Sequence, residues 1–274
     1  MKVCIVGASS FIARALAKTE TGKTWTYLNR EAFTCLDWID SADLIINCAY
    51  DWRIVKEGYQ KEYDLDLQLA TEIAKRNLPT RYIMLSSRTV YGYSAEGLPF
   101  KEGQSCVPAV PYGQAKLKTE TLLAEILREQ LCILRLSNVC GGDANSVKAT
   151  FFSMALSRLR DENRIVLDIS PFVCRDFLPV TILAEWMEAI VANWQSGLFN
   201  VAAGISVPVG KVAQALIEGY GKGELHINNL REFDAFAMDT AATRSAFGLP
   251  VLQAEPLYAF CRQTGKQWFE VTGK

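Results

Sequence analysis

The chain has 274 residues, 50% of them hydrophobic and 22% charged, with a net charge of −1, which allows one large domain or a domain carrying a smaller lobe. A charge this close to zero provides no electrostatic drive toward nucleic acid or an anionic membrane surface, so neither is expected as a partner. No apolar run approaches the roughly 18–20 residues of a membrane span, and the opening Met1-Lys2-Val3-Cys4-Ile5-Val6-Gly7 lacks the layout of a signal peptide; a soluble, cytoplasmic protein is expected.

Residues 2–6 form an apolar run that ends at Gly7, and 11–19 follow as a helix. A second strand is expected at 25–28. A third, at 44–49, is apolar enough to be buried on both faces, as parallel strands are. Residues 57–76 read as a helix, 81–86 as a buried strand, 112–129 as a helix and 132–136 as a strand. This alternation predicts an α/β protein, a Rossmann-type doubly wound parallel sheet with right-handed crossovers. Beyond Asn138 the rhythm loosens. Helices are expected at 146–160, 183–194 and 209–220, a strand at 198–202, and irregular chain through Pro171, with shorter elements at the end. The expected division is a dinucleotide-binding domain over 1–140 with a returning segment 176–203, and a small C-terminal α+β substrate lobe from 141–175 and 204–274.

The eight cysteines never form Cys-x-x-Cys, and His226 is the single histidine. That leaves no basis for a zinc site, and no metal is expected. Most of the cysteines lie in apolar runs and read as buried thiols. Cys174, beside Arg175, is the one that stands apart.

Chemistry concentrates in two segments, Ser86-Ser87-Arg88-Thr89-Val90-Tyr91-Gly92 and Pro111-Tyr112-Gly113-Gln114-Ala115-Lys116. Tyr112-x-x-x-Lys116 puts a phenol and an ammonium one turn apart on one helix face. Tyrosine alone ionises near pH 10, and a nearby lysine favours the phenolate. A serine aimed at the same point can hold a substrate hydroxyl or carbonyl against the tyrosine. Together they make a proton-transfer site for carbonyl–alcohol chemistry, although Tyr-x-x-x-Lys by itself arises by chance in many helices.

The turn after the first strand is Gly7-Ala8-Ser9-Ser10-Phe11-Ile12-Ala13. Gly-x-x-Gly-x-x-Gly at such a place lets a dinucleotide pyrophosphate approach a helix N-terminus. Only the first glycine is present. Ala13 is an easy substitute, whereas Ser10 adds bulk while offering a hydroxyl to a phosphate. An ordinary strand–turn–helix is the competing reading. At the end of the second strand, Asn29-Arg30 replaces the acidic residue that would accept from ribose hydroxyls. Arg30 can pair with a 2′-phosphate, favouring NADP(H) over NAD(H); a solvated surface charge beside Glu31 is the alternative.

These segments, in this order, resemble the extended short-chain dehydrogenase/reductases, the NAD-dependent epimerase/dehydratase group that acts on nucleotide sugars. Gly7–Ala13 looks like its phosphate loop, and Asp43-Leu44-Ile45-Ile46-Asn47-Cys48-Ala49 is similar to its strand segment beside the cofactor. Ser86-Ser87-x-x-Val90-Tyr91-Gly92 and Tyr112-x-x-x-Lys116 match its catalytic segments. Leu134-Arg135-Leu136-Ser137-Asn138-Val139-Cys140-Gly141, Arg175-Asp176-Phe177, Gly197-Leu198-Phe199-Asn200-Val201-Ala202, and Asp239 followed by Arg244 and Phe247-Gly248 match later landmarks.

The resemblance implies Tyr112 as general acid/base, Lys116 tuning it and contacting the nicotinamide ribose, and Ser87 bonded to the reacting oxygen. Ser86 is expected to face away. The resemblance places Gly7, Ser9, Ser10, Phe11, Ile12, Asn29, Arg30, Cys48 and Ala49 along the cofactor. Asn138 and Arg175 fall where the family contacts the diphosphate, or serve as turn-forming and salt-bridging residues. Arg231 lies about where a second phosphate-binding arginine is found. Side chains selecting the sugar and nucleotide are expected from 145–160, 205–208 and 228–236. A homodimer through the helix bearing Tyr112 and the helix before it is also implied.

The chain departs from the family in several places. Arg88-Thr89 stands where the dehydratases carry Asp-Glu, which argues against dehydration. Tyr63-Asp64 stands where a helix usually begins with asparagine. Residues 29–43 are too few for a helix plus a strand, and the C-terminal lobe is closer in size to the reductases than to the epimerases. The expected activity is an NAD(P)-dependent oxidoreductase reducing C4 of an NDP-4-keto-(6-deoxy)sugar. The alternatives are an NDP-sugar epimerase with tightly bound NAD and a non-catalytic dinucleotide-binding regulator.

Overall fold

The computed structural model describes residues 1–94, 98–142 and 150–272. β1 (Val3–Val6) is apolar and buried at every position, and leads into α1 (Phe11–Leu16), whose N-cap Ser10 accepts from the Ala13 amide at 3.1 Å. β2 (Thr26–Leu28) and β3 (Leu44–Asn47) follow. Between them lie only two 3-10 turns, Arg30–Phe33 and Asp37–Ser41, as the shortness of that segment requires. Next come α2 (Arg53–Lys56), α3 (Leu65–Lys75), β4 (Arg81–Ser87), α4 (Pro111–Leu127) and β5 (Leu131–Leu136).

The expected helix over 57–76 is broken. Gly58 takes φ +90°, a left-handed conformation that suits glycine, and helix resumes only at Leu65. There Asp64 supplies the cap by accepting from the Leu67 amide at 3.0 Å.

The later chain forms β6 (Asn138–Cys140), α5 (Phe151–Glu162), β7 (Arg164–Leu167), β8 (Cys174–Pro179), α6 (Val180–Ala192) and β9 (Gly197–Val201). After these come β10 (Ser206–Pro208), α7 (Val209–Tyr220), β11 (Glu224–Ile227), α8 (Ala241–Phe247) and α9 (Ala254–Thr272). The helix expected at 146–160 starts at Phe151, where Thr150 and Ser153 form a capping box; residues 143–149 lie outside the described ones. The closing stretch, expected to hold only shorter elements, contains α9, which spans 19 residues. Its buried face includes Cys261, Thr264 and Gly265, small or polar residues that mute the apolar periodicity by which helices are found.

Six strands form one parallel sheet in the order β2-β1-β3-β4-β5-β9. Alternate residues serve opposite faces. Val3, Ile5, Leu44, Ile46, Ile83 and Leu134 pack with α1 and α6, whereas Cys4, Val6, Ile45, Tyr82, Met84 and Ile133 pack with α3 and α4. Strand order reverses at β1, between β2 and β3, which opens a crevice at the carboxyl ends of β1 and β3.

Phe247 and Leu249, late in the chain, also pack in the α1–α6 core. A further core gathers Phe152, Leu156, Phe177, Leu216, Leu257 and Trp268 from α5, β8, α7 and α9. β10-β8-β6 and β11-β7 are small separate sheets. Cys4, Cys132, Cys140 and Cys261 are buried, as their apolar runs suggest, but Cys35 is exposed. No helix among the described residues is long and apolar enough to cross a membrane.

Candidate active site

Gly7 ends β1 at φ +86°, and a Cβ there would meet the Ala49 amide nitrogen at 2.7 Å. The turn after β1 and the segment after β3 therefore touch backbone to backbone, which only glycine permits. The amides of Gly7 and Ala8 both donate to the Leu28 carbonyl, at 2.8 and 3.0 Å, so the end of β2 is drawn to the same point. Ser10, Phe11 and Ile12 line a cleft there, facing Cys48, Ser87 and Tyr112. The Ser10 oxygen accepts from Ala13, which leaves its hydroxyl proton to donate. Ser9 is exposed, and its carbonyl accepts from Arg14.

Ser87 ends β4, and its Oγ accepts from the Thr89 amide at 3.2 Å and the Thr89 hydroxyl at 3.0 Å. Both bonds use oxygen lone pairs, so the Ser87 proton remains available for a ligand oxygen in the cleft. Ser86, one residue earlier, is also among the residues that line the cleft, but alternation turns its side chain to the opposite side of the strand. There it donates to Glu120, which also holds Arg135 at 2.6 Å.

Tyr112 occupies the first turn of α4, where Pro111 suits the helix start. Its ring stacks on Trp52, with centroids 5.7 Å apart and planes 21° apart, and meets the edge of Tyr50 at 5.1 Å. One turn on, the Lys116 ammonium is buried 3.3 Å from the Asp66 carboxylate and lies 5.0 Å from the centre of the Tyr50 ring. Burial opposes the charge on Lys116, but Asp66, with Tyr112, Tyr50 and Asp64, outweighs it and raises its pKa above the ordinary lysine value. Burial likewise pushes the Asp66 carboxyl up, with Lys116 opposing.

Asp66 also accepts from Asn47 Nδ2 at 2.9 Å and the Tyr82 hydroxyl at 2.8 Å. Asn47 in turn accepts from the Ala49 amide at 2.9 Å. A chain of hydrogen bonds thus joins the segment beside Gly7 to Lys116. Sequence reasoning missed Asp66, yet a signal existed: it is a carboxylate on the apolar stripe of α3, beside Leu69, Ala70 and Ile73.

At the end of β2, Asn29 is exposed and opens the first 3-10 turn. Arg30 pairs with Asp51 at 2.5 Å, and Arg53 holds the same carboxylate at 2.6 Å. The Arg53 hydrogen bonds, against burial and with Arg30 adding, bring Asp51 down to about 2.

Asn138 lies in β6, opposite Phe177 of β8. Arg175, in β8, donates to the carbonyls of Asp234 (3.0 Å) and Phe233 (3.2 Å), and its guanidinium lies 3.5 Å from the Asp234 carboxylate. Arg231 is exposed, stacks over Phe233 at 4.6 Å and does not line the cleft. The structure thus brings Ser87 and Tyr112 to one wall with Lys116 behind them, whereas Asn138, Arg175 and Arg231 are not among the residues that line it. Asp176, next to Arg175, is fully buried and accepts from the amides of Ala203 and Gly204 at 3.0 and 2.9 Å. Burial, opposed by these hydrogen bonds, pushes it up to about 7.

Comparison with known proteins agrees with this architecture. The chain is similar to dTDP-4-dehydro-6-deoxyglucose reductase of Escherichia coli, 29% identical over 138 residues; the match spans 48% of this chain and 42% of that relative. Among solved structures, it resembles UDP-N-acetylglucosamine 4-epimerase from Methanobrevibacter ruminantium M1, with a TM-score of 0.82, 18% identity and 98% of each chain covered. It also resembles RMD from Pseudomonas aeruginosa complexed with NADPH, with a TM-score of 0.80, 21% identity and 99% of each chain covered. At those identities the structural likeness establishes the fold. Residues 3–202 match the model of the NAD dependent epimerase/dehydratase family, and the chain belongs to that family.

Proposed function

We propose that this protein is an NAD(P)-dependent oxidoreductase that reduces the C4 keto group of an NDP-4-keto-(6-deoxy)sugar. The observation that carries the reading is Ser87 and Tyr112 on one cleft wall, with Lys116 held behind them by Asp66. Ser87 would donate to the substrate carbonyl and fix its position. Tyr112 would give its proton to the oxygen as negative charge develops there. The Lys116 ammonium, one turn along α4, would offset the negative charge that develops as the proton leaves. Gly7, Ser9, Ser10, Phe11, Ile12, Cys48 and Ala49 would hold the dinucleotide, and the backbone contact at Gly7 suits a close pyrophosphate. When bound, that dinucleotide supplies the hydride.

Arg88-Thr89 in place of an acidic pair argues against water elimination. The partial likeness to a 4-keto-sugar reductase supports reduction. At the adenine end, Arg30, Asp51 and Arg53 sum to one positive charge, which favours a 2′-phosphate and hence NADP(H).

The test begins with the purified protein: any dinucleotide released on denaturation is identified, and apo protein is titrated with NADPH and NADH. NADPH consumption is then followed with dTDP-4-keto-6-deoxyglucose and related NDP-4-keto sugars. Reversible, preferential NADPH binding and substrate-dependent oxidation are expected. Stoichiometric NAD carried through purification would instead favour an epimerase. Failure to bind either dinucleotide would remove the enzyme reading and favour a regulator.

A further inference from the structure

The chain just beyond Ala49 brings two more rings to the cleft. Trp52 lies against the face of Tyr112, with 5.7 Å between centroids and 21° between planes, and Tyr50 meets Tyr112 edge-on at 5.1 Å. Tyr50 and Trp52 also touch each other, at 5.1 Å and 70°. Three rings thus form a closed cluster around the phenol that lines the cleft. Between the two new rings in sequence, Asp51 turns the other way, into Arg30 and Arg53.

We propose that Trp52, with Tyr50, is a positioning residue for Tyr112, and that the Asp51 carboxylate anchors the strap carrying both rings. The inference rests on the oxidoreductase reading above and deepens it, adding residues that lie outside the segments by which the family is recognised.

Tyr112 sits where its own helix holds it least. It belongs to the first turn of α4, behind an N-cap, Val110, that makes no side-chain hydrogen bond, and helix ends fray. Lys116 does not supply the support, because its ammonium is drawn to Asp66 at 3.3 Å and lies 5.0 Å from the centre of the Tyr50 ring. A misplacement of about 1 Å at the reacting atoms costs on the order of 10²-fold in rate. One ring stacked on the face of Tyr112 and another set against it edge-on restrict rotation of the phenol, in the two geometries that aromatic pairs favour.

The strap itself is anchored. The Asp51 side chain is 5% exposed and accepts from Arg30 at 2.5 Å, from the Arg53 guanidinium at 2.6 Å and from the Arg53 amide at 3.0 Å. Arg53 also lies over Tyr63 at 4.2 Å. Trp52 caps α2, and α2 packs against α4. Trp52 remains 40% exposed, so truncating it removes the contact with Tyr112 without opening a cavity in the core.

The test compares Trp52→Ala and Trp52→Phe with wild type in the full-length protein. NADPH oxidation is followed with a panel of NDP-4-keto sugars, and fluorine NMR is recorded on protein labelled with 3-fluorotyrosine. Trp52→Ala should lower kcat about tenfold or more. Its KM values for sugar and NADPH should stay within about twofold of wild type, because a positioning contact acts in the transition state rather than in binding. Its melting temperature should be unchanged. Trp52→Phe keeps a ring against Tyr112 and should recover most of kcat. The Tyr112 fluorine resonance, assigned by its loss in Tyr112→Phe, should be displaced from that of free fluorotyrosine in wild type and in Trp52→Phe. In Trp52→Ala it should narrow and return toward the free position.

Wild-type kcat in Trp52→Ala would overturn the proposal. So would a raised sugar KM at constant kcat, the result expected of a wall that binds substrate, and so would a Tyr112 resonance unmoved by Trp52→Ala. A wild-type protein that oxidises NADPH with none of the sugars would sink the oxidoreductase reading, and the fluorine resonance would then decide by itself whether Trp52 holds the Tyr112 ring.

Discussion

Lys116 is a buried amine, and the carboxylate of Asp66 beside it favours its charged form. Breaking a buried pair by removing one partner costs about 3–5 kcal/mol. Asp66→Ala is therefore expected to lower stability by that order in urea denaturation, and to cut turnover at least tenfold as the unpaired ammonium loses its charge. Near-wild-type stability would mean that the pair is not buried as described. Tyr112→Phe removes only the exchangeable proton. It should lower kcat by about 10²–10⁴-fold with unchanged melting and NADPH affinity, and full turnover would refute the mechanism. Arg30→Glu reverses a charge in the Arg30–Asp51–Arg53 group and should weaken NADPH far more than NADH in parallel titrations; an equal effect would remove the cofactor preference. Ser87, Tyr112 and Lys116 were legible in the sequence because one helical turn and one strand end fix their relation. Asp66 and Asp234 were not, because each reaches its partner only through tertiary folding, across 50 residues for Lys116 and 146 for Arg88.

The elements show the same division between local and distant causes. β1, β3 and β5 are buried throughout, so their apolar runs reported them directly, and the shortness of residues 29–43 foretold the missing helix and strand at the sheet edge. The helix α9 went unread because its role is close packing. A Cβ on Gly265 would run into the Leu216 carbonyl, and one on Gly219 into the Arg262 carbonyl, so α7 and α9 cross with a glycine from each at the contact. A glycine in mid-helix is read as a weakness of about 1 kcal/mol relative to alanine, and only the crossing shows that it is required. Gly265→Ala should consequently destabilise the protein by about 1–3 kcal/mol through overpacking, despite its better helix propensity. Chemical denaturation would read this, and a stabilised variant would show that the two helices do not approach so closely.

For the molecule as a whole, pH dependence should bear the mark of Asp176, which joins β8 to the turn after β9 through the amides of Ala203 and Gly204. Burial raises its pKa from 3.8 to about 7, so the native state holds this proton more tightly than the unfolded chain. The resulting stabilisation is complete below about pH 4 and is lost as pH rises through about 7, because the unfolded state then binds fewer protons across that window. At 1.36 kcal/mol per pKa unit, the full change is on the order of 4 kcal/mol. Other carboxylates, such as Asp51 with its lowered pKa, act in the opposite direction at lower pH, so the wild-type curve alone does not isolate the effect. The difference between wild type and Asp176→Asn does, since asparagine cannot titrate. Melts taken from pH 4 to 8 should show the wild-type advantage greatest at pH 4, shrinking toward pH 7 and constant above it. A difference that stays flat would mean that the Ala203 and Gly204 amides keep Asp176 ionised throughout, and that the junction between β8 and β9 is built around a permanent buried charge.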